Sequence, residues 1–117
     1  MIVAGFGCTS QAAPATLRAM LGAATEITAL ACPEARRGLV APLADALGLP
    51  LIALPRAALA GIATPTHSAR SMAAYGTGSV AEACALVAAG PGARLIRARV
   101  VSDDGQATCA LAEGMGR

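Results

Sequence analysis

Apolar runs of strand length recur through the first half of the chain and alternate with helix-forming stretches. Each run contains β-branched residues and is closed by glycine or proline, which predicts three buried strands, at residues 1–5, 26–32 and 49–55. Between the first two runs, Pro14 suits the first turn of a helix that continues to about Gly22. Residues 33–48 have helical spacing, and Gly38 and Pro42 within them predict a helix that is split or begins late.

The second half combines short helical patterns with a strand hairpin. Residues 56–61 predict a short helix, and residues 64–78 place loop residues around about two helical turns. Ser79, followed by Glu82 and an alanine-rich run, forms the capping-box signature of a helix over residues 79–89. An Asp-Asp-Gly-Gln turn separates two strand patterns, at residues 93–102 and 107–113.

This order of elements predicts the fold class. Strands that alternate with helices favour an α/β fold, because the helices cover both faces of a largely parallel sheet. We therefore expect a three-layer α/β/α sandwich with a mixed sheet and a C-terminal antiparallel hairpin. The chain has the length of one domain, covering residues 1–117.

Composition narrows the class of protein. Hydrophobic residues make up 56% and charged residues 14%, which excludes a disordered chain. No apolar run reaches the roughly 18 residues that a membrane helix needs, and a basic signal start is lacking, so we expect a cytoplasmic protein without a membrane partner. A net charge of +2 and only two aromatic residues, Phe6 and Tyr75, argue against nucleic acid.

The basic and metal-binding residue types exclude further chemistry. All nine basic residues are arginine, which excludes lysine-dependent phosphate loops and Schiff bases. The four cysteines are scattered and the chain has one histidine, so neither a metal site nor a disulfide framework is expected. Cys84 and Cys109 fall in apolar segments and are predicted to be buried thiols.

Two glycine segments carry the predicted site. Residues 5–10 ("GFGCTS") leave the first strand, and residues 75–79 ("YGTGS") enter the capped helix. Both offer glycine backbone, hydroxyls and a helix N-terminus, which favour an anion. If both lie at the carboxyl ends of the parallel strands, they form one clamp for carboxylates or phosphates. The candidate binding residues are Gly5, Gly7, Cys8, Thr9, Ser10, His67, Arg70, Gly76, Thr77, Gly78, Ser79 and Glu82. Alternatively, each glycine only permits a tight turn.

Three residues are weak candidates for catalysis. Cys8 is expected at a helix start, which would lower its pKa and suit a nucleophile paired with His67. Glu82 is a candidate general base. The alternatives are a space-filling role for Cys8, a surface or capping role for His67, and a capping role for Glu82.

Four segments resemble the CobE family of cobalamin biosynthesis, which is the same domain as the C-terminal part of CbiG proteins. They read "GFGC", "LADALGLPL", "GTGSVAEACAL" and "GQATCALA", in the family's order and across almost the whole chain. The chain departs from the family at two places. Thr9 and Ser10 stand where basic residues are usual after the first cysteine, and Pro33 and Arg36 stand near the positions of a lysine and a glutamate.

The resemblance implies an α/β/α domain with a role in corrin-ring construction, and we expect no cofactor. Precorrins are flat, apolar macrocycles fringed with carboxylates, which suit helix N-termini, hydroxyls and arginines. The favoured interpretation is a domain that binds a precorrin-like tetrapyrrole intermediate through the two glycine segments. One alternative is a hydrolase or lyase acting on the macrocycle, as in the lactone opening associated with CbiG proteins. Another is a non-catalytic module that docks on a different cobalamin-biosynthesis enzyme.

Overall fold

A mixed sheet runs through the centre of the molecule. The computed structural model describes residues 1–22 and 26–116. Its five strands are β1 (Ile2–Cys8), β2 (Ala29–Pro33), β3 (Leu51–Leu54), β4 (Arg94–Val101) and β5 (Ala107–Glu113). They lie in the order β3-β2-β1-β5-β4; β1, β2 and β3 are parallel, and β5 is antiparallel to both β1 and β4. The predicted α/β class with a C-terminal antiparallel hairpin is confirmed.

Helices cover both faces of this sheet. They are α1 (Pro14–Leu21), α2 (Arg37–Leu47), α3 (Arg56–Leu59), α4 (Ala69–Tyr75) and α5 (Val80–Ala89). On one face α1 and α2 pack against the core around Phe6 and Leu30. On the other face α3 and α5 pack around Val3 and Leu54. These are the three layers expected from the sequence, and α2 begins late, after a 3-10 turn at Glu34–Arg36.

The first strand is longer than its apolar run predicts. β1 continues to Cys8, so the segment expected to form a loop from Gly5 onward is mostly strand. A Cβ on Gly5 would run into the Ala81 carbonyl oxygen, and one on Gly7 would lie 2.8 Å from the Thr108 hydroxyl on β5 and 3.3 Å from the Cβ of Val80 on α5. Both glycines therefore give α5 room to approach the sheet. A turn is not what requires them.

Helix α5 is buried along most of its length. Most of its buried side chains are small, including those of Ala81, Ala85 and Cys84, which lets the backbone of α5 lie close to β1. In the described part of the chain no single helix has the length and apolarity to cross a membrane. Helices α4 and α5 meet that test only as a pair bent by 56°, judged by length and composition alone.

Candidate functional site

An open cleft of about 900 Å³ lies at the carboxyl ends of β1 and β2. Its walls are the end of β1, the turn after β2, helix α4, the first residue of α5 and the β4–β5 hairpin. Open α/β sheets bind their ligands at this edge, because loops from neighbouring parallel strands meet there. The cleft is therefore the candidate site.

Three arginines line the cleft, each from a different element. Arg36 follows β2, Arg70 lies on α4 and Arg99 lies on β4. The Nε–H of Arg36 donates to the carbonyl oxygen of Cys8 at 2.8 Å, which fixes that side chain to the end of β1. None of the described lining residues is acidic. An arrangement of guanidinium groups without competing carboxylates suits a ligand that carries several negative oxygens.

The rest of the lining combines hydroxyls with apolar surface. Hydroxyl groups come from Thr9, Ser10, Ser68, Ser71, Tyr75 and Thr108. Apolar surface comes from Val80 and Ala74, and from Val101, which is 57% exposed. A cleft with both kinds of surface can hold a ligand that is apolar in its body and charged at its edge.

The first glycine segment ends in the cleft, as expected. Gly7, Cys8, Thr9 and Ser10 all line it. The backbone N–H of Thr9 donates to the carbonyl oxygen of Gln106 at 2.9 Å, and the two side chains are also hydrogen-bonded, which ties this segment to the β4–β5 turn.

The expected environment of Cys8 is wrong. Cys8 is the last residue of β1, and α1 begins only at Pro14, so the thiol does not lie at a helix start. Burial raises the pKa of Cys8, and the nearby Arg36 charge offsets only part of that rise. The described residues include no hydrogen bond between Cys8 and His67. Cys84 and Cys109 are buried and free, as predicted.

Most of the second glycine segment lies behind the wall of the cleft, and only its first residue, Tyr75, lines it. Thr77, Gly78 and Ser79 are buried and do not line it. The Thr77 hydroxyl donates to the carbonyl oxygen of Ile62 at 2.8 Å, and the carbonyl oxygen of Gly78 accepts from the N–H of Ser68 at 2.7 Å. Gly76 ends α4 in the left-handed conformation, with φ of 70°. The predicted clamp is therefore one-sided here: the first segment borders the cleft and the second supports α4.

The candidate binding residues Arg70 and His67 also differ in whether they reach the cleft. Arg70 lines the cleft, whereas His67 is exposed and does not. Its Nδ1 lies against Gly78, in the space that a Cβ at position 78 would need. Gly78 has no positive φ, so close packing is its reason for being glycine.

The capping box is half formed. The Ser79 hydroxyl accepts from the Glu82 backbone N–H at 3.3 Å, as predicted. The reciprocal contact of the Glu82 carboxylate with the Ser79 backbone is wrong, because that carboxylate binds other donors. It accepts from the Thr66 N–H at 3.1 Å, the Thr66 hydroxyl at 2.8 Å and the Arg99 N–H at 2.9 Å. Glu82 is fully buried and does not line the cleft, so this arrangement does not favour it as a general base.

Residues 2–112 match the family described as cobalamin synthesis G C-terminus. The chain belongs to this family. A CobE protein from the cobalamin biosynthetic pathway has a similar structure, with a TM-score of 0.80 and 32% identity over 100% of this chain and 92% of the other. The cobalamin biosynthesis protein chiG from Agrobacterium tumefaciens is similar too, with a TM-score of 0.71 and 30% identity over 97% and 98% of the two chains.

A third structure shares the fold at lower identity. It is a putative cobalamin biosynthesis protein G homolog from Sulfolobus solfataricus, with a TM-score of 0.72 and 22% identity over 95% of this chain and 36% of that one. None of the curated proteins matches the chain. The family match and the two closer structures confirm the resemblance to CobE and CbiG and make this a cobalamin-biosynthesis protein.

The sequence analysis missed two of the three cleft arginines. Arg36 could have been found, because it follows β2 at the same sheet edge as the end of β1. Arg99 carries no such signal. Its place depends on two register shifts in β4, which an alternating pattern does not reveal.

Proposed function

We propose that this protein binds a precorrin-like tetrapyrrole intermediate in the cleft, holding it during corrin-ring construction. The observation that carries the proposal is the set of three arginines, Arg36, Arg70 and Arg99, in a cleft whose described lining has no acidic side chain. Precorrins carry acetate and propionate groups around the ring. Guanidinium groups on three separate walls can meet carboxylates that point in different directions.

The apolar part of the lining supports the same ligand class. Ala74 and the exposed Val101 offer surface to the flat face of a macrocycle. A small, highly charged anion such as phosphate would leave this surface in water. A large apolar ring with charged edges uses both parts of the lining.

A binding role fits the chemistry of the cleft better than nucleophilic catalysis does. Cys8 is the lining thiol, and burial raises its pKa, which keeps it in the unreactive protonated form. His67 and Glu82, the other candidates, do not line the cleft. We therefore infer a protein that holds the intermediate and passes it to another enzyme of the pathway in the cytoplasm.

The test is calorimetric titration of cobyrinic acid, a corrin ring with free carboxylates, into the wild-type protein. Cobinamide, whose side chains are amides, is the matched ligand without that charge. Arg36→Gln, Arg70→Gln and Arg99→Gln should each weaken cobyrinic acid binding by about 1.5–3 kcal/mol, because each removes a charged hydrogen bond. Arg18→Gln, on the exposed side of α1, is the control and should bind like wild type.

Two results would overturn the proposal. One is equal affinity for cobyrinic acid and cobinamide, since carboxylate recognition would then be absent. The other is unchanged cobyrinic acid affinity in all three cleft variants while circular dichroism shows an intact fold. Conversion of the ligand in the same cuvette, followed by absorbance, would support the enzyme alternative instead.

A further inference from the structure

The burial of the Glu82 side chain is energetically unfavourable unless its carboxylate finds hydrogen-bond partners. Its side chain is 0% exposed, on a helix whose other buried residues are mostly alanine. Transfer of a carboxylate from water costs several kcal/mol unless hydrogen bonds compensate for it. Among the described residues, no arginine or histidine forms an ion pair with it. Its compensation comes from three uncharged donors, belonging to Thr66 and Arg99.

The first pair of hydrogen bonds leads to helix α4. Thr66 lies two residues before Ser68, whose hydroxyl accepts from the Ser71 N–H and caps α4. Helix α4 has no fully buried residue, and its packing against the core comes from Tyr75 at its C-terminal end, so the position of its first turn depends on the segment before it. The bonds from Thr66 to Glu82 fix that segment. Arg70, on the first turn of α4, is thereby held at the cleft.

The third hydrogen bond leads to the opposite wall. On β4, Arg97 lies opposite Leu111 and Val100 lies opposite Cys109, so the stretch from Arg97 to Val100 has one residue more than its partner on β5. Such a bulge releases backbone groups from the ladder. The N–H of Arg99 lies in this bulge and donates to Glu82 Oε2 at 2.9 Å. The carboxylate therefore fixes the backbone from which the Arg99 side chain reaches the cleft.

A carboxylate is the group that this position requires. Two oxygens that only accept can satisfy one O–H and two N–H donors at once. A glutamine side chain has a single acceptor oxygen, and its amide N–H groups would face a donor from either Thr66 or Arg99. The substitution Glu82→Gln therefore keeps the shape of the side chain but loses a hydrogen bond from Thr66 or Arg99. At least one wall of the cleft is then no longer held.

We propose that Glu82 is a positioning residue that sets ligand affinity by holding Arg70 and Arg99 at the cleft. Arg36 is independent of it, because Arg36 is held by the Cys8 carbonyl oxygen. This inference rests on the proposed function for its ligand readout, although its structural half needs no ligand.

Cobyrinic acid titration tests the ligand readout. Glu82→Gln should weaken binding about tenfold, the size of one lost charged hydrogen bond. The effect should be non-additive with Arg99→Gln and additive with Arg36→Gln, because Arg99 depends on the carboxylate and Arg36 does not. A purely structural loss would be additive with both. Thr28→Val is the control, since it removes a side-chain hydrogen bond to Ile2 at the opposite end of β1, away from the cleft.

Thr66→Val tests the contact between Thr66 and Glu82 with a smaller change. It removes one hydroxyl donor to Glu82 and keeps the backbone N–H, so binding should weaken about threefold and the fold should stay intact. This variant decides the matter if Glu82→Gln does not fold. Wild-type affinity in Thr66→Val, or in a folded Glu82→Gln, overturns the proposal.

Amide hydrogen exchange without ligand separates this inference from the proposed function. Glu82→Gln should speed exchange in residues 62–78 and 97–101, whereas the β1–β2 amides should exchange at wild-type rates. If wild type binds no cobyrinic acid, the proposed function fails, and selective exchange still supports the positioning of both walls. Uniform or unchanged exchange overturns the inference.

Discussion

The two glycine segments of this chain look alike in sequence and differ in structure. Residues 5–10 lie at the end of the central strand, and four of them border the cleft. Residues 76–79 are mostly buried, and their polar groups bind the chain itself. Glycines and hydroxyls occur in both, yet only the first segment brings its glycine and hydroxyl residues to the cleft.

The difference shows that the two segments need glycine for three separate structural reasons. Gly5 and Gly7 give space to helix α5, and Gly78 gives space to His67 and the Thr66 backbone. Gly76 takes a left-handed conformation that ends α4. A glycine pair in a sequence therefore predicts that another group comes close to the backbone. That group can be the protein's own backbone as well as a ligand.

The largest loss of stability is expected for Gly5→Ala in the first segment. The added methyl group would meet the Ala81 carbonyl oxygen and the Ala85 backbone N, neither of which belongs to a flexible side chain. We expect the free energy of unfolding, measured by urea denaturation, to fall by about 3 kcal/mol. Gly38→Ala is the control, because that site has open space and no positive φ. It should raise stability by about 0.5 kcal/mol. Equal stability of the two variants would show that α5 does not need the glycine.

A smaller effect is expected for Gly78→Ala in the second segment. Its Cβ would meet His67 Nδ1, the Thr64 hydroxyl and the Thr66 carbonyl oxygen. We expect a loss of about 2 kcal/mol in unfolding free energy. Since His67 is exposed and can move, adding His67→Ala should recover about 1 kcal/mol. No recovery would assign the obstacle to the Thr66 backbone, and no loss at all would contradict the packing described for this segment.

The smallest effect is a change of rate, at Cys8 in the first segment. Alkylation of the native protein, followed by mass spectrometry, should modify Cys8 first, because it borders the cleft whereas Cys84 is buried. The raised pKa of Cys8 means that less thiolate is present at a given pH than in a free cysteine peptide. Its alkylation rate should therefore still rise with pH where the peptide has reached its plateau. If the rate for Cys8 stopped rising at a lower pH than in the peptide, the pKa of Cys8 would be lowered, as expected from the sequence. Labelling of Cys84 before Cys8 would contradict the burial of Cys84.

Much of the fold follows from the sequence by itself. The apolar runs, proline and glycine positions and the Asp-Asp-Gly-Gln turn predicted β2, β3, α1, α5 and the β4–β5 hairpin at nearly their observed bounds. These signals are local, since periodicity and turn geometry depend on neighbouring residues. The family resemblance also needed only the linear order of four segments. Of the site, the end of the first segment was predicted from the rule for parallel strands, and Arg70 from its closeness in sequence to the second segment.

The tertiary structure decided the rest, because the deciding contacts join residues far apart in the chain. The extension of β1 to Cys8 depends on β5, which pairs with it from the other end of the sequence. The partners of Glu82 lie 16 and 17 residues away, and they displaced the local capping contact. Arg99 reaches the cleft through a bulge set by the pairing of β4 with β5. Strand order arises from packing between elements that are distant in the chain, and the two shifts in β4 change a register that the alternating pattern and the turn would otherwise set.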